Sequence, residues 1–156
     1  MKSLQPNSRH CFVCGVENPL GLQLRFYSNG PGEVVAEYTL PENYQGYPGV
    51  AHGGIVAAML DEAAGRSLMG DLSDPRFMFT ARLNVTYQKN VPVGQPLRLV
   101  GKAGEIRSRT ATATSILYDQ AGNTLAEAEA FLINVPEPVL QKVDLSQLGW
   151  QIYPEG

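Results

Sequence analysis

The stretch VAHGGIVAAMLDEA, Val50 to Ala63, sets one histidine, two adjacent glycines and two acidic residues along a row of small apolar side chains. On a helix, the lateral neighbours of a residue lie three and four positions away. For Asp61 these are Ala57, Ala58, Ala64 and Gly65, none with a polar side chain. A carboxylate so placed has no partner in its own helix and borders open space, which suits a nucleophile or a general base. The plainer alternative is a carboxylate that reaches a backbone N–H or a side chain on a neighbouring sheet. Glu62 reads differently, because Arg66 follows four residues later in the direction that favours a helix-surface ion pair, and it is assigned to the solvated face.

His52, Gly53 and Gly54 stand where that helix should begin. A helix N-terminus presents unpaired N–H groups and the positive end of the macrodipole, so it can hold a developing oxyanion. Glycine at 53 and 54 clears the side chains that would keep a carbonyl away, although glycines also suit a tight loop-to-helix turn. His52 would orient the loop or touch a substrate. Eight residues at a helical rise separate Gly53 from Asp61 by about 12 Å, whereas a reacting carbonyl must sit about 3 Å from both groups. If both act, a second copy of the chain must bring its own helix, and a two-fold axis then makes two equal sites.

The elements that position these residues are legible from punctuation and period. LGLQLRFYSNG and EVVAEYTL are strand-like runs separated by Asn29, Gly30, Pro31 and Gly32, a predicted hairpin. PENYQGYPGVAHGG is a loop that feeds the helix, and Gly54 to Met69 contains no proline and ends at Gly70. Four strands are predicted behind it: Phe77 to Asn90, Pro96 to Arg107, Thr110 to Tyr118 and Thr124 to Val135. In the last, Ala126, Ala128, Ala130 and Leu132 alternate with Glu127, Glu129, Phe131 and Ile133, giving one small face for close packing on a helix. The connections SR and DQAGN are of hairpin length and make the sheet antiparallel. About six strands and one long apolar helix can share a core only if the sheet curls around the helix, an α+β architecture. Residues 1–156 are expected to form one domain, with an N-terminal turn region over 1–20 and a tail over 136–156 whose Val139, Leu145, Leu148 and Trp150 dock on the body or on a partner.

The 156 residues are 44% hydrophobic and 17% charged with a net charge of -3, an ordinary globular balance with no basic run for nucleic acid or an anionic membrane. No segment has the length of a signal sequence core or a membrane span, so a cytoplasmic location is expected. Cys11 and Cys14 form a lone CFVC pair. A zinc site normally takes four ligands, and without a second pair a metal would have to be shared between chains. A redox pair would want a following helix where GVENP reads as a turn, so CFVC is assigned to a structural turn and no metal is expected.

HGGIVAAMLDEAAG, followed by the strand run from FTARLNVTYQKN to AEAEAFLINV, resembles the hotdog-fold thioesterases of the phenylacetic-acid-degradation (PaaI-like) class. CFVCGVENPLGLQL and YQGYPGVAHGG are most similar to the branch that contains the mammalian thioesterase superfamily members four and five. The resemblance covers roughly residues 11 to 135. It implies a hotdog fold, hydrolysis of an acyl-coenzyme A thioester between two subunits of a homodimer or homotetramer, and neither metal nor cofactor. It implies Asp61 as nucleophile or as base for water, the Gly53 N–H of the other chain as oxyanion donor with Gly54 beside it at the substrate, and His52 holding the loop. Thr80 falls where relatives carry a Ser or Thr that positions water. Some members carry an Asn six residues before the HGG histidine; here that position is Gly46, and Gln45 before it would take part of the role. A hotdog protein that binds acyl-CoA or an acyl carrier without turnover is the competing reading. Met59, Leu83 and Phe79 are candidates for the acyl channel, and Lys89, Lys102, Arg107 and Arg109 for the coenzyme A phosphates.

Overall fold

A computed structural model describes residues 2–155. One long helix, α1 (Gly53–Ser67), lies across an antiparallel sheet of seven strands. The strands are β1 (Ser3–Leu4), β2 (Tyr27–Ser28), β3 (Glu33–Thr39), β4 (Met78–Tyr87), β5 (Pro96–Ile106), β6 (Thr110–Tyr118) and β7 (Thr124–Asn134). Their spatial order is β1-β2-β3-β5-β6-β7-β4, so the chain leaves β3, runs through α1 and enters β4 at the opposite edge. This is the α+β hotdog arrangement. No helix among the described residues is long and apolar enough to cross a membrane.

Two local expectations are revised. The sheet has seven strands rather than about six, because Ser3–Leu4 adds a short edge pair with β2. The first predicted strand contracts to Tyr27–Ser28, since Gln23 adopts a left-handed φ of 54° that interrupts an extended run. Leu22, Leu24 and Phe26 nevertheless remain buried, so the alternation reported core-facing residues without a continuous ladder.

The small faces explain how close the helix comes. Ala126, Ala128 and Ala130 of β7 and Ala111 and Ala113 of β6 are all buried against the core that includes Met59, Leu60, Ala63 and Ala64 of α1. Ser115 on β6 donates to the Leu60 carbonyl at 2.8 Å, a bond from the sheet to the helix backbone. On β5, a Cβ added at Gly101 would lie 2.2 Å from the Ala63 carbonyl oxygen. The helix backbone therefore rests directly on the strand there.

The two chain ends close over the far end of α1. Arg66 is 2% exposed; its Nε donates to Glu62 at 3.0 Å and its Nη1 to Gln5 and the Pro6 carbonyl, while its guanidinium sits between the rings of Phe26 and Trp150. The tail contributes α2 (Glu137–Leu140) and α3 (Leu145–Leu148), the latter capped by Asp144, and Gln151 bridges to Asn7. Of the apolar residues expected to dock, Trp150 packs on the body, whereas Val139 and Leu148 are exposed on this chain.

Gly101→Ala is expected to lower stability by about 3 kcal/mol, because the contact is with backbone that cannot step aside; denaturant unfolding measures it. Glu62→Ala leaves the buried guanidinium without its carboxylate and is expected to cost about 2–3 kcal/mol, a little under the full penalty for a buried pair because Glu62 keeps some solvent contact.

Candidate active site

The start of α1 is held by the loop before it. His52 caps the helix in extended conformation, with φ -61° and ψ 135°, and its carbonyl accepts from the Ile55 and Val56 N–H groups. Its ring nitrogen Nδ1 accepts from the Gly54 N–H at 2.9 Å. In the neutral ring the proton therefore sits on Nε2, on an exposed imidazole. Ala51 and His52 are tied by their own N–H groups to Val91 and Tyr44. Among the described residues, the Gly53 N–H is the first-turn donor left with no acceptor in the chain. The Gly53 carbonyl accepts from the Tyr87 hydroxyl at 2.7 Å.

The glycines here differ in what they permit. A Cβ at Gly46 would come within 3.3 Å of the His52 backbone, and one at Gly54 within 3.1 Å of Nδ1, so both flank the imidazole tightly. A Cβ at Gly53 would meet the Tyr87 hydroxyl and ring edge at an ordinary 3.5–3.6 Å. Gln45 accepts at Oε1 from the Gly49 N–H, which gives its carbonyl a part in closing its own loop.

Asp61 lies two turns further along α1 and receives a hydrogen bond from the Thr80 hydroxyl at 2.6 Å. A bulge in β4 makes that contact possible. Thr80 pairs with Leu132 and Arg82 with Phe131, leaving Ala81 as the extra residue. Leu83, Val85 and Tyr87 pair with Ala130, Ala128 and Ala126, whose side chains face the helix. Strict alternation back from these would turn Ala81 inward and Thr80 away. The bulge instead turns Thr80 toward Asp61.

Beside this pair is a cavity of about 310 Å³ lined by Asp61, Thr80, Gly65, Met69 and Met78, with Cys11 and Cys14 on its wall. A Cβ at Gly65 would touch nothing within 4 Å. A larger cavity of about 560 Å³, lined by Arg25, Tyr27, Glu37 and Tyr38, contains none of the residues singled out in the sequence.

The sequence reading misplaced Glu62. It is only 22% exposed at its side chain and faces the CFVC turn, because its i+4 partner Arg66 is buried rather than solvated. Burial pushes the Glu62 carboxyl up from its ordinary value, against the Arg66 charge that holds it down. The two thiols respond to each other: their mutual hydrogen bond, with Arg66 adding to it, holds Cys14 down, while the same bond and burial push Cys11 up. Tyr87 was also missed, having no signal beyond a strand position.

The candidate residues thus form two groups, His52, Gly53, Gly54 and Tyr87 at the helix start and Asp61 and Thr80 in its middle, each tied to one end of β4. The sequence model of the thioesterase superfamily matches residues 48–126, half of the chain and both groups. The mouse (Mus musculus) acyl-coenzyme A thioesterase THEM4 is 27% identical over 142 residues, 89% of this chain, and the chain spans 60% of that protein's length. A thioesterase superfamily protein of known crystal structure is 30% identical with a TM-score of 0.71, over 79% of this chain and 62% of that one. A Streptococcus mutans protein crystallised bound to acetyl CoA shares the fold, with a TM-score of 0.64 at 20% identity over 72% of this chain and 88% of that one. By its sequence match and its architecture, this chain belongs to the thioesterase superfamily.

Proposed function

We propose that the protein hydrolyses acyl-coenzyme A thioesters in two equal sites, each built from the Asp61 of one subunit and the helix start of another. The observation that carries this reading is the separation of the two groups. A carboxylate fixed by Thr80 and an unpartnered Gly53 N–H stand eight residues apart on one unbroken helix, about 12 Å along its axis. A single copy cannot bring both to one carbonyl.

The exposed edge of β4 offers the means to combine them. Its ten residues pair with β7 on one side only, and an unpaired edge of that length is a template for another strand. Antiparallel pairing of two β4 edges about a two-fold axis near Leu83 and Asn84 would lay the Thr80 end of one against the Tyr87 end of the other. Thr80 touches Asp61 and Tyr87 touches Gly53, so the partner's helix start would come alongside this chain's carboxylate.

In such a site the thioester carbonyl accepts from the Gly53 N–H of the partner subunit, with the positive helix end stabilising the oxyanion. His52 donates its Nε2 proton from the same loop, its ring held by Gly54. Asp61 takes a proton from the water that attacks the carbonyl carbon and passes it to the departing thiolate of coenzyme A, or else attacks directly, releasing coenzyme A and forming an anhydride that water then hydrolyses to the free acid and the regenerated carboxylate. Thr80 keeps the carboxylate aimed, and its oxygen retains a lone pair for a water. Support for the substrate class comes from superfamily membership, from the THEM4 relative and from the acetyl CoA bound by a protein of the same fold. Two unpaired thiols suit a reducing compartment such as the cytoplasm.

Purified protein offered acyl-CoA of several chain lengths should release free coenzyme A, read with a thiol reagent. Binding of acyl-CoA without release would instead mark a binding protein. Asp61→Asn should lower kcat by about 10²–10⁴ with the fold and assembly unchanged.

Gly53→Pro tests the oxyanion donor, since proline is accepted at the first helical position and carries no N–H; a loss of about 10²–10³ is expected, while Gly53→Ala, which adds bulk but keeps the N–H, measures the part of the loss due to crowding. Shared sites predict complementation. Randomly mixed Asp61→Asn and Gly53→Pro chains should recover roughly a quarter of wild-type activity, because half of the dimers are mixed and each restores one site of two. No recovery on mixing, or full activity in a species that sediments as a monomer, would sink the shared site.

A further inference from the structure

We infer that Cys11, Cys14 and Glu62 form a binding site for one divalent transition-metal ion of the zinc class, set in the wall of the cavity that Asp61 faces. The two sulfurs and a Glu62 carboxylate oxygen all lie within 4.8 Å of one another. Zinc holds sulfur at about 2.3 Å and carboxylate oxygen at about 2.0–2.2 Å, which puts tetrahedral donors roughly 3.5–4 Å apart. A contraction of about an ångström, within reach of side-chain rotation, closes the three on one ion. A fourth position then faces the cavity, which also gives the ion its path in.

The sequence spacing argues against a site only if ligands must come as a second cysteine pair. The fold supplies the third donor from a different element: Glu62 on α1 is turned toward the CFVC turn by its bond to the buried Arg66. Arg66 Nε holds Oε1 at 3.0 Å and leaves Oε2 free. The guanidinium cannot swing into the site, because Gln5, the Pro6 carbonyl and the rings of Phe26 and Trp150 fix it in place.

The sulfurs carry an outer shell of the kind that orients metal ligands. Cys11 Sγ accepts from the N–H groups of Val13 at 3.3 Å and Cys14 at 3.5 Å, and Cys14 Sγ lies 3.5 Å from the Ser8 hydroxyl. A turn needing only a hydrogen-bond acceptor would be served better by an oxygen than by sulfur, which accepts weakly.

Charge closes the case. Two thiolates and a carboxylate bring three negative charges to a half-buried place, and Arg66 returns one positive charge. A divalent ion supplies the remaining two as the thiol protons leave to solvent, and the site becomes neutral. A donor set with two sulfurs selects zinc over magnesium or calcium.

The test uses the full reduced chain and reads metal, so its outcome is separate from that of the hydrolase reading. Mass-spectrometric elemental analysis after zinc loading and desalting should find one zinc per chain. Cobalt(II) in its place should give a thiolate-to-metal charge-transfer band. Cys14→Ser should lose the band's intensity and most of the affinity. Glu62→Gln should keep both thiolates yet bind zinc about tenfold more weakly or worse in competition with a chromophoric chelator, with circular dichroism confirming the fold. Zinc no higher in wild type than in the Cys11→Ser, Cys14→Ser double variant would overturn the site, as would a cobalt spectrum without thiolate bands. Unchanged affinity in Glu62→Gln would overturn the three-donor site.

Discussion

The contact between the α1 backbone at Ala63 and Gly101 of β5 sets the geometry of everything else. With no side chain at 101 and alanines on β6 and β7, the helix sits against the sheet at backbone distance, and Ser115 fixes its height through the Leu60 carbonyl. Asp61 follows Leu60 directly. The seat that buries Leu60 and Ala63 therefore leaves Asp61 turned to the β4 side, where Thr80 meets it. Larger residues on those strands would lift the helix and break the Thr80 bond with Asp61 and Thr80 themselves unchanged. Stability and site geometry are one arrangement here.

Much of this was legible because it depends on local chemistry. The helix limits follow from Gly53 and Gly70, and the structure ends the helix at Ser67 with Leu68 as its cap, within a turn of the expected Met69. The hairpins SR and DQAGN fix three neighbouring strands, and the alanine face of β7 pointed inward as its period required. The short helix Leu145–Leu148 is bounded by Asp144, whose side chain accepts from the Ser146 and Gln147 N–H groups, and by Gly149 in the left-handed conformation.

What was not legible depends on partners distant in sequence. Period-2 alternation cannot announce a bulge, so it gives no account of why Thr80 faces the helix three residues before Leu83. The Glu62 and Arg66 spacing is that of a surface pair, and the pair is genuine. Its burial comes from Gln5, Pro6, Phe26 and Trp150, from opposite ends of the chain, which no window around residue 62 contains. The same cover sets Glu62 beside Cys11 and Cys14.

The glycines separate what the fold needs from what it leaves vacant. At Gly101 and Gly104 an added Cβ would strike Ala63 or Thr112 at 2.2 and 2.5 Å, so the chain itself requires their smallness. At Gly65 a Cβ would meet nothing within 4 Å, although glycine inside a helix costs about 0.5–1 kcal/mol against alanine. At Gly53 it would meet the Tyr87 hydroxyl and ring edge at ordinary contact distance. Folding gives no reason for glycine at either place. Gly65 lies one turn beyond Asp61 and Gly53 two turns before it, so the unexplained glycines stand at the two groups that the proposed chemistry needs. Neither position is made small by a close contact within the chain, and the open space beside Gly65 borders the cavity that Asp61 lines.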